Sequence, residues 1–214
     1  MIIDHNHLAY RMRHSAMNDK HNGAFYYSQE IVRNIIPNVE TTRNWVTVNI
    51  QGVGKNHSIV FVHNNKHPEN YEWLKQYGYK DIILVCGIPE TVEKVEHLGK
   101  AIYLPLSIDL EEVKAYKTEK TKDTAFVGRR AKHKGIELPD GIDYIEQMPR
   151  PKLLQEMAKY KTVYAVGRTA IEAKALGCRL KAYDPRFPKV SRWKPLDNKE
   201  AAKMLQEMLN EIDG

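Results

Sequence analysis

Two stretches of this chain gather groups suited to holding phosphate. In TAFVGRRAKHKG, Thr124–Gly135, an apolar run delivers Gly128 and then Arg129, Arg130, Lys132, His133 and Lys134. Arginine offers paired N–H donors to phosphate oxygens, and lysine a compact charge. In VYAVGRTAIEAKALGCRLKAYDP, Val163–Pro185, a second apolar run ends in Gly167-Arg168-Thr169 and an Ala-rich helical pattern follows. A helix start exposes unsatisfied N–H groups and a partial positive charge. Gly167 permits close backbone approach, Arg168 adds a full charge, and Thr169 supplies a hydroxyl, so an anion is the expected ligand. Glu172 has two readings. The pattern T-A-I-E fits a capping box, with Glu172 accepting from the Thr169 backbone N–H. Alternatively, its carboxylate accepts hydrogen bonds from sugar hydroxyls beside the phosphates, as carboxylates do for ribose in other nucleotide sites.

His63 follows the apolar run IVFV in IVFVHNN. A buried strand there places it at a carboxyl end, where α/β sheets bind ligands. It is the candidate general base toward a hydroxyl, with a structural histidine as the alternative. Asp4, His5 and His7 are metal-ligand types, but no second Asp/His cluster with ligand-like spacing accompanies them. No metal site is therefore expected.

These groups need strands and helices to aim them. The first half reads as a short strand at Met1–Asp4, a polar stretch over about 8–22, and a helix from Ser28 stopped by Pro37. Strands are expected at Val46–Ile50, Ile59–Val62, Asp81–Val85 and Ala101–Leu104, with helices at Pro68–Tyr77 and Pro89–His97. Glu111–Lys122, charged and poor in large apolar residues, reads as a linker. The rhythm restarts with strands at Thr124–Val127, Ile142–Ile145, Thr162–Val166 and Leu180–Tyr183. Helices are expected at Pro151–Lys159, Thr169–Leu176 and Asn198–Ile212. Alternation of this kind predicts parallel βαβ units. The expected fold class is α/β, two small Rossmann-like lobes with an interlobe cleft, divided as 1–110 and 111–214.

The 214 residues carry a net charge of +6, which suits a phosphate-bearing ligand, a nucleic acid or an anionic surface without choosing among them. No apolar stretch approaches the ~18 residues of a membrane span, and the first residues lack the pattern of a signal peptide. Two distant cysteines, Cys86 and Cys178, imply no disulfide framework; reduced, cytoplasmic thiols are expected.

Taken together, FVGRRAKHKG and IDYIEQMPRPKLLQEMAKYKTVYAVGRTAIEAKALGCRLKAYD resemble the nucleotide-sugar-binding lobe of GT-B glycosyltransferases of the glycogen-synthase-like type. DIILVCGIPETVEKVEHLGKAIYLPLSID resembles the end of their other lobe, with Pro105 and Asp109 matching a crossover. The likeness covers roughly residues 59–185. It implies a metal-independent transfer of sugar from a nucleoside-diphosphate sugar, a co-substrate rather than a cofactor, to an acceptor hydroxyl. Arg129 and Lys134 match the diphosphate-binding pair, with Arg130 able to substitute for Arg129. Gly167, Arg168 and Thr169 match the loop over the phosphates, and Glu172 matches the ribose-binding glutamate. The base would lie near Tyr144–Met148. The other glutamate of the family's E-x7-E pair falls at Tyr164, which departs from the pattern. The family's last helix often crosses back over the first lobe. No Asp-x-Asp is present, in keeping with cations and a helix start stabilising the leaving group. Candidate acceptors include nucleic acid, for instance a hydroxylated base in DNA, and the short chain suits a virus-encoded enzyme acting in a host cytoplasm. The alternative is a non-catalytic nucleotide-sugar or nucleic-acid binding protein. A fainter likeness of IIDHNHLAYRMRHS to flap-endonuclease-like chains lacks the further carboxylates that two-metal chemistry requires.

Overall fold

A computed structural model describes residues 2–3, 30–43, 45–47, 57–62, 71–76, 78–128, 138–146, 148–184 and 189–214. His63, Arg129, Arg130 and Lys134 lie outside them, as do Asp4, His5 and His7. Two compact units divide the chain. The described residues up to Leu106 and those in Lys199–Gly214 form one, and Ser107–Asn198 forms the other.

The first unit is built on a parallel sheet of five strands in sequence order: β1 (Ile2–Ile3), β2 (Trp45–Thr47), β3 (Ser58–Val62), β4 (Ile82–Cys86) and β5 (Lys100–Tyr103). β3 and β4 read SIVFV and IILVC and are buried along their whole length, as central strands of a parallel sheet are. Alternation sends Val60, Val62, Leu84 and Cys86 to one core cluster with Tyr71, Leu74 and Val95. Leu74 lies on the short helix α1 (Trp73–Gln76), and Val95 on α2 (Pro89–Val95), which a 3-10 turn at Glu96–Leu98 extends. Near Pro37 the chain forms not one α-helix but a π-helical turn, Ile31–Ile35, and a 3-10 turn, Ile36–Asn38.

The second unit begins where the sequence suggests a linker. That stretch holds a helix, α3 (Leu110–Lys114), capped by Asp109, whose carboxylate accepts the Glu112 N–H at 2.9 Å. Val113 is fully buried, so an apolar contact anchors the charged segment. Four parallel strands follow in the order β7–β6–β8–β9: β6 (Lys122–Val127), β7 (Asp143–Ile145), β8 (Tyr160–Tyr164) and β9 (Arg179–Lys181). Helices α4 (Arg150–Met157) and α5 (Arg168–Ala175) link β7 to β8 and β8 to β9. The two ends of the unit are pinned together, since Ile108 bridges Asp197 and its carbonyl accepts the Asn198 N–H at 3.1 Å.

Helix α6 (Asn198–Asp213) buries Ala201, Ala202, Leu205 and Leu209 along one stripe. Its residues from Lys199 onward belong with the first unit. Both units are thus parallel α/β layers of Rossmann-like character. Among the described residues no helix is long and apolar enough to cross a membrane.

Candidate functional site

The strand order of the second sheet points to a candidate site. The chain leaves β6 for β7 on one side, then crosses to β8 on the other and continues to β9. The order reverses between β6 and β8, and the carboxyl ends of strands at such a reversal form the ligand crevice of open α/β sheets. β6 pairs directly with β8, with Phe126 opposite Tyr164. Gly128, the last described residue before the cationic stretch of the sequence, therefore leaves the sheet beside the Ala165–Gly167 connection that opens α5.

Gly167 is the N-cap of α5, with φ 65° and ψ −142°. This conformation favours glycine over any residue with a Cβ, and it turns the chain from strand into helix without a capping side chain. The helix begins at Arg168, so Thr169 is its second residue and not its cap. The capping-box reading of Glu172 is overturned on this point. The Glu172 Oε1 instead accepts from Arg168 Nε at 3.0 Å and Arg150 Nε at 3.2 Å. Arg150, the first residue of α4, also directs Nη1 to both Glu112 carboxylate oxygens at 2.7 Å. Glu112, Arg150, Glu172 and Arg168 form an alternating chain of charge that ties the starts of α3, α4 and α5 together.

Burial sets the strength of this chain. The side chains of Glu172, Arg168 and Arg150 are 5%, 9% and 11% exposed, whereas Glu112 is 41% exposed. Burial works against the charge on Arg150, but Glu112 and Glu172 outweigh it and hold its pKa above the ordinary arginine value. Neither Arg150 nor Glu112 is evident from local sequence as part of the site. The Asp109-x-x-Glu112 start of α3 is the one pattern that could have flagged a helix there.

An aromatic row lies at the same edge. Phe126 on β6 is in register with Tyr144 on β7 and Tyr164 on β8, so the three share a face of the sheet. Phe126 packs on Tyr144 at 5.7 Å between ring centroids, and on Tyr183 edge-on at 4.9 Å. Tyr144 remains 52% exposed. Among the described residues no group of three or more His, Cys, Asp or Glu is placed to hold a metal ion.

Comparison with protein-family models, with curated proteins and with solved structures finds no match to this chain.

Proposed function

We propose that this chain is a metal-independent GT-B-type glycosyltransferase that uses a nucleoside-diphosphate sugar. The supporting observation is the pairing of β6 with β8 at the strand-order reversal, which brings Gly128, just past the end of β6, beside the Ala165–Gly167 connection. The sequence of Ser107–Asn198 carries 20 lysines and arginines against 13 aspartates and glutamates. The excess positive charge of the protein thus sits in this half, as a polyanionic ligand requires.

In this reading Arg129 and Lys134, with Arg130 beside them, hold the diphosphate against the Gly167–Thr169 helix start. They neutralise the charge that grows on the leaving group as the bond to the sugar breaks. Glu172, only 5% exposed, keeps Arg168 and Arg150 aimed through Oε1. Tyr144 offers an exposed ring for the base. His63 takes the proton of the acceptor hydroxyl.

Calorimetric titration with UDP, ADP and GDP tests the site. Lys134→Ala and Arg129→Ala are each expected to weaken the best-bound diphosphate by at least about tenfold, the loss of one charge-assisted contact. Affinities equal to that of the unaltered chain would remove the assignment. The binding-protein reading draws support from Tyr164, which stands where the family has a glutamate and here packs against the Phe126 cluster. Mass spectrometry across a panel of nucleotide sugars separates the two: donor hydrolysis or transfer identifies an enzyme, and tight binding without turnover a binding protein. DNA affinity with a steep salt dependence would point to a nucleic-acid acceptor.

A further inference from the structure

A second constellation lies in the first unit, at the amino-terminal edge of its sheet. His57 immediately precedes β3 and Asp81 immediately precedes β4. The His57 backbone N–H donates to the Lys80 carbonyl at 3.3 Å. Both residues have left-handed backbone, with φ of 63° and 50°, and among the described residues they are the two non-glycines that do. Such conformations are uncommon outside glycine. Asp and His are among the residues that adopt them most readily, and here the two are in direct contact.

The side chains form a relay. His57 Nδ1 lies 2.5 Å from Asp81 Oδ2, and Nε2 lies 3.3 Å from Thr42 Oγ1. The bond from His57, aided by Arg43 and opposed by desolvation, keeps the Asp81 carboxyl below its ordinary range. An ionised carboxylate only accepts, so Nδ1 carries the proton; in the neutral imidazole Nε2 then offers its lone pair to the Thr42 hydroxyl. Asp81 is itself fixed. Arg43, 2% exposed, donates to Asp81 Oδ1 at 3.2 Å and to its main-chain carbonyl at 2.8 Å, and is anchored in turn by Asp213 at 2.6 Å. A clamp holding the end of α6 needs only Arg43, Asp81 and Asp213. It does not need Thr42 against the imidazole. Thr42 also borders a pocket of about 640 Å³ lined by Asn38, Glu40, Gln206, Asn210 and Asp213.

We propose that Thr42, His57 and Asp81 are a nucleophile, general base and orienting group for ester hydrolysis, a site separate from the nucleotide-binding one. The nucleophile-base-orienter pattern is the one by which hydroxyl nucleophiles are recognised. Thr42 Oγ1 attacks the ester carbonyl as its proton passes to His57 Nε2. The bond to the alcohol breaks, and the departing alkoxide takes that proton. Water then attacks the acyl-threonine, with His57 again accepting a proton and returning it to Thr42 Oγ1 as the carboxylic acid leaves. The amide-rich lining, in which Asp213 is already paired with Arg43, suits a short-chain ester whose alcohol part is polar.

Treatment of the full chain with a fluorophosphonate, followed by peptide mapping, tests this directly, with p-nitrophenyl acetate as the turnover substrate. The label is expected on Thr42. Thr42→Ala and His57→Ala are expected to lose the label and about 100-fold or more of the turnover. Thr42→Ser, which keeps the hydroxyl, is expected to retain both. A label lodged elsewhere or absent, a serine variant that does not react, or equal turnover in Thr42→Ala overturns the proposal.

Discussion

Arg168 and Glu172, one turn apart on α5, are joined through Nε and Oε1 at 3.0 Å, and the same oxygen receives Arg150 Nε at 3.2 Å. One buried carboxylate thus stands between two nearly buried guanidinium groups. Removing it takes the shared counter-charge from both cations in low dielectric, while Arg150 keeps Glu112. Glu172→Ala is therefore expected to lower stability by about 3 kcal/mol, the cost of breaking a buried pair from one side. Urea denaturation measures it as a shift in midpoint at constant slope. A group whose sole role is ligand contact would leave the midpoint where it is.

Lys120 makes a comparable prediction from the opposite charge. Its ammonium donates to the Ala158 carbonyl at 2.7 Å and the Leu176 carbonyl at 2.9 Å. These are the C-cap residues of α4 and α5, so one cation meets the negative ends of two helices. Lys120→Met keeps the apolar stem and deletes the charge. The expected loss is about 2 kcal/mol, combining charge-assisted hydrogen bonds with the helix dipoles. Thermal melting followed by circular dichroism reads it, and an unchanged melting temperature would contradict the capping role.

How far these features could be read in advance depends on the range of the interaction that makes them. The strand expected at Asp81–Val85 lies within one residue of β4, because a short apolar run suits a strand covered on both faces. Helix α5 lies within one residue of its expected bounds, because Gly167 and Gly177 punctuate it on both sides. β8 starts two residues earlier than expected. Tyr160 and Lys161 look like a helix end, but Lys122 opposite Tyr160 extends the ladder. The segment 111–122 misleads because its charges outnumber Val113, the buried apolar residue of α3. The charge network at the site has no local pattern at all. Glu112 and Arg150 are 38 residues apart and Arg150 and Glu172 are 22 apart. The capping-box pattern fails because the helix starts one residue before Thr169. The hydrogen bonds that would have marked Glu172 as a cap go to arginines instead.

Acid sensitivity follows from Glu156. Lys122 and Lys159 both bind its carboxylate, and the bond from Lys122 is the larger cause of its pKa lying below the ordinary 4.5. A carboxyl depressed in the folded state adds stability that is fully present above its unfolded value. That stability is lost as pH falls through the folded value. Asp81, depressed chiefly by the bond from His57, acts in the same direction. The urea midpoint is expected to be level above about pH 5 and to decline below it. In Glu156→Gln the decline should be shallower. An equally steep decline in that variant would assign the acid sensitivity to other carboxyls.

Gly99 separates contact from conformation. Its φ of 169° is extended backbone that any residue adopts, so a substitution there tests space alone. A Cβ at this position would stand 2.6 Å from Ile82 Cγ1 and 2.8 Å from the Ile82 main-chain oxygen. Ile82 opens β4, which is paired on both sides within the sheet, to Ser58 of β3 at Ile82 itself and to β5 from Ile83 onward, so that oxygen has little freedom to retreat. At Gly87 a Cβ would also come within 2.6 Å of a neighbour, but the neighbour is the Leu106 side-chain tip, which can change rotamer. Gly99→Ala is therefore expected to cost about 1–3 kcal/mol, as overpacking against fixed atoms does, and Gly87→Ala less. Denaturant midpoints of the two variants rank them. The reverse order would mean that the edge between β4 and β5 yields more readily than the Leu106 side chain.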